Sequence, residues 1–331
     1  MEKYRKTHFL PGNEAGIAEA MTRLTKGQLV ALPTETVYGL GARADDAEAI
    51  QAIFQAKERP ANHPLIVHLG DIKQFTEWAS DVPGVVIELA KAFCPGPLTF
   101  ILPLNANRDR AVTGGQDWVG LRIPSHPLTL EILRRSGLGI ALPSANRFGR
   151  ISPTSAADVL EELDGRVDAI LDGGLCPVGI ESTIIKVDTD QIVLLRPGRI
   201  RPEAIEAVAG QPVRIPEHVE LRVSGRLDSH YAPIKPAYRL QYDQLNTVHP
   251  LWGADDWILS SYPIPAPVIA NGTQVKMLPD EPNAYATQLY SALRQGDALT
   301  TVKRLWVIEP ADTPEWSAVR DRLIRATRSV S

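Results

Sequence analysis

The sequence predicts an α/β protein: a twisted mixed sheet with helices in a larger first domain, then a smaller C-terminal α/β unit. Three observations carry this. Strand-like and amphipathic helical segments are mixed along residues 13–198, without strict alternation. The 331 residues exceed the roughly 100–200 that make one domain. After Gly210 the stretch "QPVRIPEHVELRVSGRLDSHYAPIKPAY" holds four prolines and little periodicity, and further regular elements follow it. The expected division is 1–210 for the first domain, 211–236 for a linker and 237–331 for the C-terminal unit.

Asn13 is placed to cap a helix whose apolar residues Ile17, Ala20, Met21 and Leu24 share one face, and Gly27 closes it. "QLVAL" (28–32) is a buried strand. "DDAEAIQAIFQA" (45–56) is a helix with an acidic start; it ends at "KERP", because the residue before Pro60 disfavours the helical conformation. In "PLIVHL" (64–69) the period of two puts Leu65, Val67 and Leu69 on one face, Ile66 and His68 on the other. "GVVIELAKAF" is helical; "LTFIL" (98–102), "VGLRIP" and "GIALPSAN" are strands. Ser152 and Pro153 read as N-cap and first residue of the helix "TSAADVLEEL". "STIIKVD" and "IVLLRPG" form a hairpin pair. Beyond residue 237, strands are expected at "AYRLQ", "WILSS" and "RLWVIE", with helices near 283–295 and 315–328.

Bulk composition excludes several classes. Net charge is −4, with no Lys/Arg block, so little nucleic-acid binding by charge is expected. Two isolated cysteines, Cys94 and Cys176, argue against a disulfide scaffold or a cysteine zinc site. No GxxxxGK[ST], GxGxxG or HExxH is present. The N-terminus lacks the apolar region of a signal peptide and no apolar run nears membrane-spanning length, so a cytoplasmic protein is expected.

Four clusters at strand ends could carry chemistry. In "PTETVYGLG", threonine hydroxyls donate and accept, Glu35 can accept from an amine, and Gly39 and Gly41 would admit a ligand close to the backbone; a structural turn is the alternative. In "KERPANHPLIVH", Lys57 and Arg59 could hold phosphate oxygens, though taken alone the cluster reads first as a solvated helix end. His63 and His68 match no zinc spacing. Arg122, alternating with Leu121 and Ile123, must be paired inside its strand, by a substrate carboxylate or by an internal acid. "LPSANRFGRISPTSA", with "GIEST" and "LRPGRIRPE", supplies Ser144, Asn146, Ser152, Ser182 and Arg196. This set suits anion binding better than covalent catalysis, because Ser144 lies in no GxSxG.

Together, "PTETVYGLG", "KxRPxxxPLIVH", "PGPLT", "LRIPSH" and "PSANxxGxxSPT" resemble the YrdC-like family of threonylcarbamoyl-AMP synthases, over about residues 14–205. The linker and C-terminal unit resemble its long, two-domain form, which implies a YrdC-like sheet and a Rossmann-like second domain. The resemblance implies synthesis of threonylcarbamoyl-adenylate and pyrophosphate from L-threonine, bicarbonate and ATP. A separate tRNA threonylcarbamoyl-transferase complex would act downstream. It places Thr36, His68, Arg122, Leu142 and Ser182 at threonine, with Leu142 contacting it through its backbone. It places Arg59, His63, Trp118, Ser144, Ser152, Arg196 and Tyr231 at ATP. Lys57 and Arg59 would be the catalytic cations, and Mg²⁺ would arrive with ATP without a protein ligand. The chain departs from the family pattern at His63, at Trp118 and in the linker "VSGRLDSHYAP". The alternatives are an RNA-binding module, against which the acidic balance speaks, and a carbamoyltransferase of hydrogenase maturation, whose cysteine zinc fingers have no counterpart here.

Overall fold

The structure, a computed structural model, describes residues 6–188, 191–216, 221–223, 225, 230–245, 252–266 and 272–330. The chain forms two compact units. The first comprises Met1–Phe148, Pro153–Pro177 and Glu181–Arg226; the second comprises Gly149–Ser152, Val178–Ile180 and Leu227–Ser331.

In chain order the strands of the first unit are β1 His8–Leu10, β2 Val30–Leu32, β3 Gly39–Arg43, β4 Ile66–His68, β5 Leu98–Pro103, β6 Trp118–Arg122, β7 Ile140–Ala141, β8 Ala169–Leu171, β9 Thr183–Asp188, β10 Gln191–Arg196 and β11 Val213–Arg214. They make one sheet in the order β1-β8-β2-β3-β7-β4-β6-β5-β9-β10-β11. Pairing is mixed: β4 runs parallel to β6, and β5 antiparallel to it. The expected hairpin is present, with β9 and β10 antiparallel.

Helices α1 Glu14–Thr25, α2 Ala47–Lys57, α3 Phe75–Trp78, α4 Gly84–Phe93, α5 Pro127–Ser136, α6 Ala156–Leu163 and α7 Pro202–Ala209 cover the sheet. The Asn13 side chain accepts from Gly16 N, as its position before an apolar period requires. The helix expected from Ser152 starts later. Ser155 is its N-cap: its hydroxyl accepts from Asp158 N, while the Asp158 carboxylate accepts from Ser155 N. That reciprocal box satisfies two terminal N–H groups, which Ser152 could not do.

The two sheet faces are buried differently, and this positions the site. Val67, Leu69, Phe100, Leu102, Val119, Leu121, Ile185 and Val187 face one large core, formed with α2, α3, α4, α6 and α7. On the opposite face α1 and α5 cover the end of the sheet that carries β1, β8 and β2. Along β4, β6, β5 and β9 that second face instead carries the alternate residues Ile66, His68, Trp118, Gly120, Arg122, Thr99, Ile101, Ile184 and Lys186, which the strand register aligns side by side.

The second unit holds a parallel sheet of β12 Ala237–Leu240, β13 Asp256–Ser260, β14 Gln274–Met277, β15 Arg304–Ile308 and β16 Arg328–Ser329, in the order β14-β13-β15-β12-β16. Helices α8 Pro282–Ala298 and α9 Ser317–Ala326 pack on it. Buried Asp256 accepts from Arg304 Nε at 2.8 Å and from Trp306 Nε1 at 2.7 Å, which pins β13 to β15. Strand β14 escaped the sequence reading because its residues are half-exposed and lack an apolar run. The stretch expected to lack regular structure, 211–236, includes β11, paired parallel to β10. Residues 217–220, 224 and 226–229 of that stretch lie outside the described residues.

Candidate active site

The PTET turn is held by its own first threonine. Thr34 Oγ1 donates to Val37 O at 2.6 Å, accepts from Val37 N and Thr36 N, and lies 2.9 Å from Thr36 Oγ1. Tyr38 is an anchor. Its hydroxyl donates to Gly174 O at 2.8 Å and accepts from Gly173 N, so the turn is tied to a loop 136 residues away. Where the sequence suggests space for a ligand, Gly39 leaves room for Leu142, and Gly41 for the Val30 carbonyl and Leu142 together. A Cβ at Gly39 would lie 2.3 Å from Leu142 Cγ, and one at Gly41 3.2 Å from Leu142 Cδ1.

Arg122 ends β6 beside His68 at the end of β4. Its Nη2 donates to Glu35 Oε1 at 2.7 Å and to Thr36 Oγ1 at 3.0 Å. Glu35, read from sequence as a group that can accept from an amine, is thus engaged with Arg122, and its Oε2 accepts from Ser125 N at 3.1 Å. The internal acid that sequence offered as an alternative is therefore present. Yet Arg122 Nε is buried and has no acceptor among the described residues, so the guanidinium keeps a donor for a further acceptor.

Neighbouring strands extend this cluster. Ser182 Oγ lies 2.8 Å from Thr99 Oγ1, and Arg196 donates from Nε and Nη2 to Ser182 O and from Nη2 to Ser182 Oγ. Arg196, expected at the nucleotide, is thereby bound to a residue of the threonine set. Thr99 carries no role from its sequence; the only signal for it is its place in "PGPLT". The Leu142 N–H is committed to Ile66 O at 3.1 Å.

A second cluster joins the "KERP" and "PSAN" motifs. The buried Lys57 ammonium donates to Ser144 O and Asn146 O, each at 2.5 Å, and Phe148 N donates to Lys57 O. Burial first, then the charge of Arg59, holds the Lys57 pKa well below its ordinary value. Arg59 Nη2 donates to Pro64 O at 3.0 Å, and its guanidinium lies 5.9 Å from the centre of the Phe148 ring. His63 meets the same ring edge-on at 5.3 Å. Ser144 bridges back to Gly39. Trp118 lies further along the second face, with Lys186 Nζ 3.8 Å from its ring centre. It borders a cleft lined by Ile66, Ile101, Gly120, Ile184 and Val223. Gln116 clamps the chain there: its amide donates to Arg222 O at 3.0 Å and accepts from Arg222 N at 3.1 Å. Ser152 and Tyr231 belong to the second unit, where both are buried and Tyr231 stacks on Tyr290 at 5.7 Å.

Burial first, then the Arg122 charge, pushes the His68 pKa well below 6.5; His63 and His126 shift the same way, chiefly by burial. The unfolded chain therefore binds protons that the folded protein refuses. The His68 contribution is fully present above about pH 6.5 and is lost as the pH drops below that value, by at most about 1.4 kcal/mol per pH unit; His63 and His126, which are only partly buried, add less. Urea unfolding at about pH 7.5 and about pH 5.5 checks this: His68→Asn is expected to lose less stability between the two than the parent. An equal loss would mean that His68 does not carry the effect.

The first unit is thus an α/β body whose large core seals one sheet face, while buried His68, Thr99 and Arg122 are aligned on the other. Residues 22–198 match the Sua5/YciO/YrdC family model, described as telomere recombination, and the chain belongs to this family. Residues 200–327 match a second model, the C-terminal domain of threonylcarbamoyl-AMP synthase. The chain is 45% identical over 240 residues to the threonylcarbamoyl-AMP synthase of Bacillus subtilis, covering 70% of this chain and 68% of that one. To the synthase of Pyrococcus abyssi it is 44% identical over 216 residues, 63% of each chain. The fold matches the crystal structure of P. abyssi Sua5 complexed with L-threonine at a TM-score of 0.87 and 35% identity, over 98% of this chain and 99% of that one.

Proposed function

We propose that this protein is an L-threonylcarbamoyladenylate synthase, a nucleotidyltransferase. It makes threonylcarbamoyl-AMP and pyrophosphate from L-threonine, bicarbonate and ATP, in the cytoplasm, and supplies a tRNA threonylcarbamoyl-transferase complex. The observation that carries the reading is Arg122: a buried guanidinium whose Nε–H has no acceptor among the described residues, beside Thr36 and His68, in a chain that matches a threonine-bound relative over nearly its whole length. Catalysis is assigned to residues 1–210, closure to the linker 211–236, and 237–331 forms the accessory α/β domain.

In this reading Arg122 Nε takes the threonine carboxylate, with Thr36, His68 and Ser182 around the amino acid. The neutral amine attacks the bicarbonate carbon, water leaves, and a carbamate forms. A carbamate oxygen then attacks the α-phosphorus of ATP, and the bond to pyrophosphate breaks. Such a transfer needs positioning and charge neutralisation more than a protein nucleophile. Arg59, held by Pro64 O and Phe148, supplies a fixed cation. Lys57 holds the Ser144–Asn146 loop that borders the nucleotide, and His63, Trp118 and Arg196 are the first unit's further ATP contacts. Mg²⁺ enters as part of the nucleotide substrate.

Pyrophosphate release in CO₂-depleted buffer tests the reading. Release is expected only when ATP, threonine and bicarbonate are all restored. Robust release without bicarbonate would indicate ordinary carboxylate adenylation, and release without threonine an unrelated ATPase; either result overturns the assignment.

A further inference from the structure

We propose that Glu35 is a positioning residue that makes the amino-acid site selective for a zwitterion over a simple carboxylate. This rests on the threonine-binding reading above. Glu35 and Arg122 form an ion pair whose side chains are only 6% and 5% exposed, at 2.7 Å. Both carboxylate oxygens are engaged, Oε1 by Arg122 and Oε2 by Ser125 N, so Glu35 cannot swing. On the other side Nη2 has two acceptors, Glu35 Oε1 and Thr36 Oγ1, and Thr36 is itself braced by Thr34. A guanidinium is a rigid plane, so two acceptors on one nitrogen fix the direction of the remaining donors. Buried Nε, which has no partner among the described residues, is thus aimed before any ligand arrives.

The second consequence is electrostatic. An unpaired arginine in so dry a place would attract any small anion. Glu35 cancels most of that charge. A bare carboxylate then gains one directed hydrogen bond but little net Coulomb attraction. An α-amino acid brings its own ammonium group and is compatible with a neutral pair. Removing the Glu35 charge should therefore push two ligands in opposite directions: threonine weakens as the guanidinium loses its brace, while 3-hydroxybutyrate, which is threonine without its amine, binds more tightly.

Calorimetric titration of the full-length protein with threonine, 3-hydroxybutyrate and ATP tests this. For Glu35→Gln, which is nearly isosteric, the ratio of threonine to 3-hydroxybutyrate affinity should fall at least about tenfold, with ATP affinity unchanged. Glu35→Asp keeps the charge but shortens the reach, so it should lose threonine without gaining 3-hydroxybutyrate. If Glu35→Gln changes both carboxylates by the same factor, or weakens ATP equally, the residue is merely structural and the proposal is wrong. A parent protein that binds no threonine would instead overturn the functional reading itself, and this proposal with it.

Discussion

Arg122→Ala is expected to weaken threonine binding by about 2–5 kcal/mol, roughly 30- to 5,000-fold, while ATP affinity changes little. The loss has two parts. The carboxylate partner at Nε disappears, and among the described residues Glu35 is left as a buried charge satisfied by Ser125 N alone. Breaking one side of a buried pair costs about 3–5 kcal/mol of stability, so the single variant should also unfold more readily. The double variant Arg122→Ala, Glu35→Gln separates the two effects: stability should recover, and threonine binding should not. The converse holds for Arg59→Ala, which should damage ATP use and spare threonine, because Arg59 lies with His63 and Phe148 at the "KERP"–"PSAN" junction. Titrating each ligand against each variant decides the matter. Equal losses for both ligands in both variants would contradict the division of the site.

The second large effect is expected at Lys57. Lys57→Met retains the apolar stem and removes both donors to Ser144 O and Asn146 O. A buried carbonyl left without a partner costs about 1–3 kcal/mol; Asn146 O is buried and bears that cost, while the part-buried Ser144 O adds less. Relief of the ammonium's own desolvation, the main cause of its lowered pKa, offsets part of this. The urea midpoint should fall clearly, and ATP binding should weaken more than threonine binding because the loosened loop carries Ser144. An unchanged midpoint would mean that these bonds do not hold the loop.

Much of this was legible from local pattern. The alternation in "PLIVHL" places Leu65, Val67 and Leu69 in the large core and Ile66 and His68 on the second face, as the structure has it. A period of two needs no knowledge of neighbours, and the same parity, continued through "VGLRIP" and "LTFIL", brings Arg122 and Thr99 to that face. The first helix, with its Asn13 cap and Gly27 stop, is equally local. So are the motifs on which the family resemblance rests.

What the sequence could not decide was which distant groups meet. Glu35 and Arg122 are 87 residues apart, as are Lys57 and Ser144, and Ser182 is 83 from Thr99. Their contacts depend on strand order and register, which are set by the packing of whole strands and not by any short pattern. Strands of three residues such as β1 and β8 carry no periodic signal, and they exist because parallel neighbours complete their hydrogen bonds. Gly39 looked like an opening for a ligand because nothing local shows that Leu142 fills the space. Ser152 looked like a cap because Ser-Pro is a good local start, until Ser155 and Asp158 offered a better-satisfied one. Local periodicity determined which face each side chain would take; only tertiary pairing decided that a glutamate would be the partner that aims an arginine, because a buried charge has to find its counter-charge wherever the fold brings one within reach.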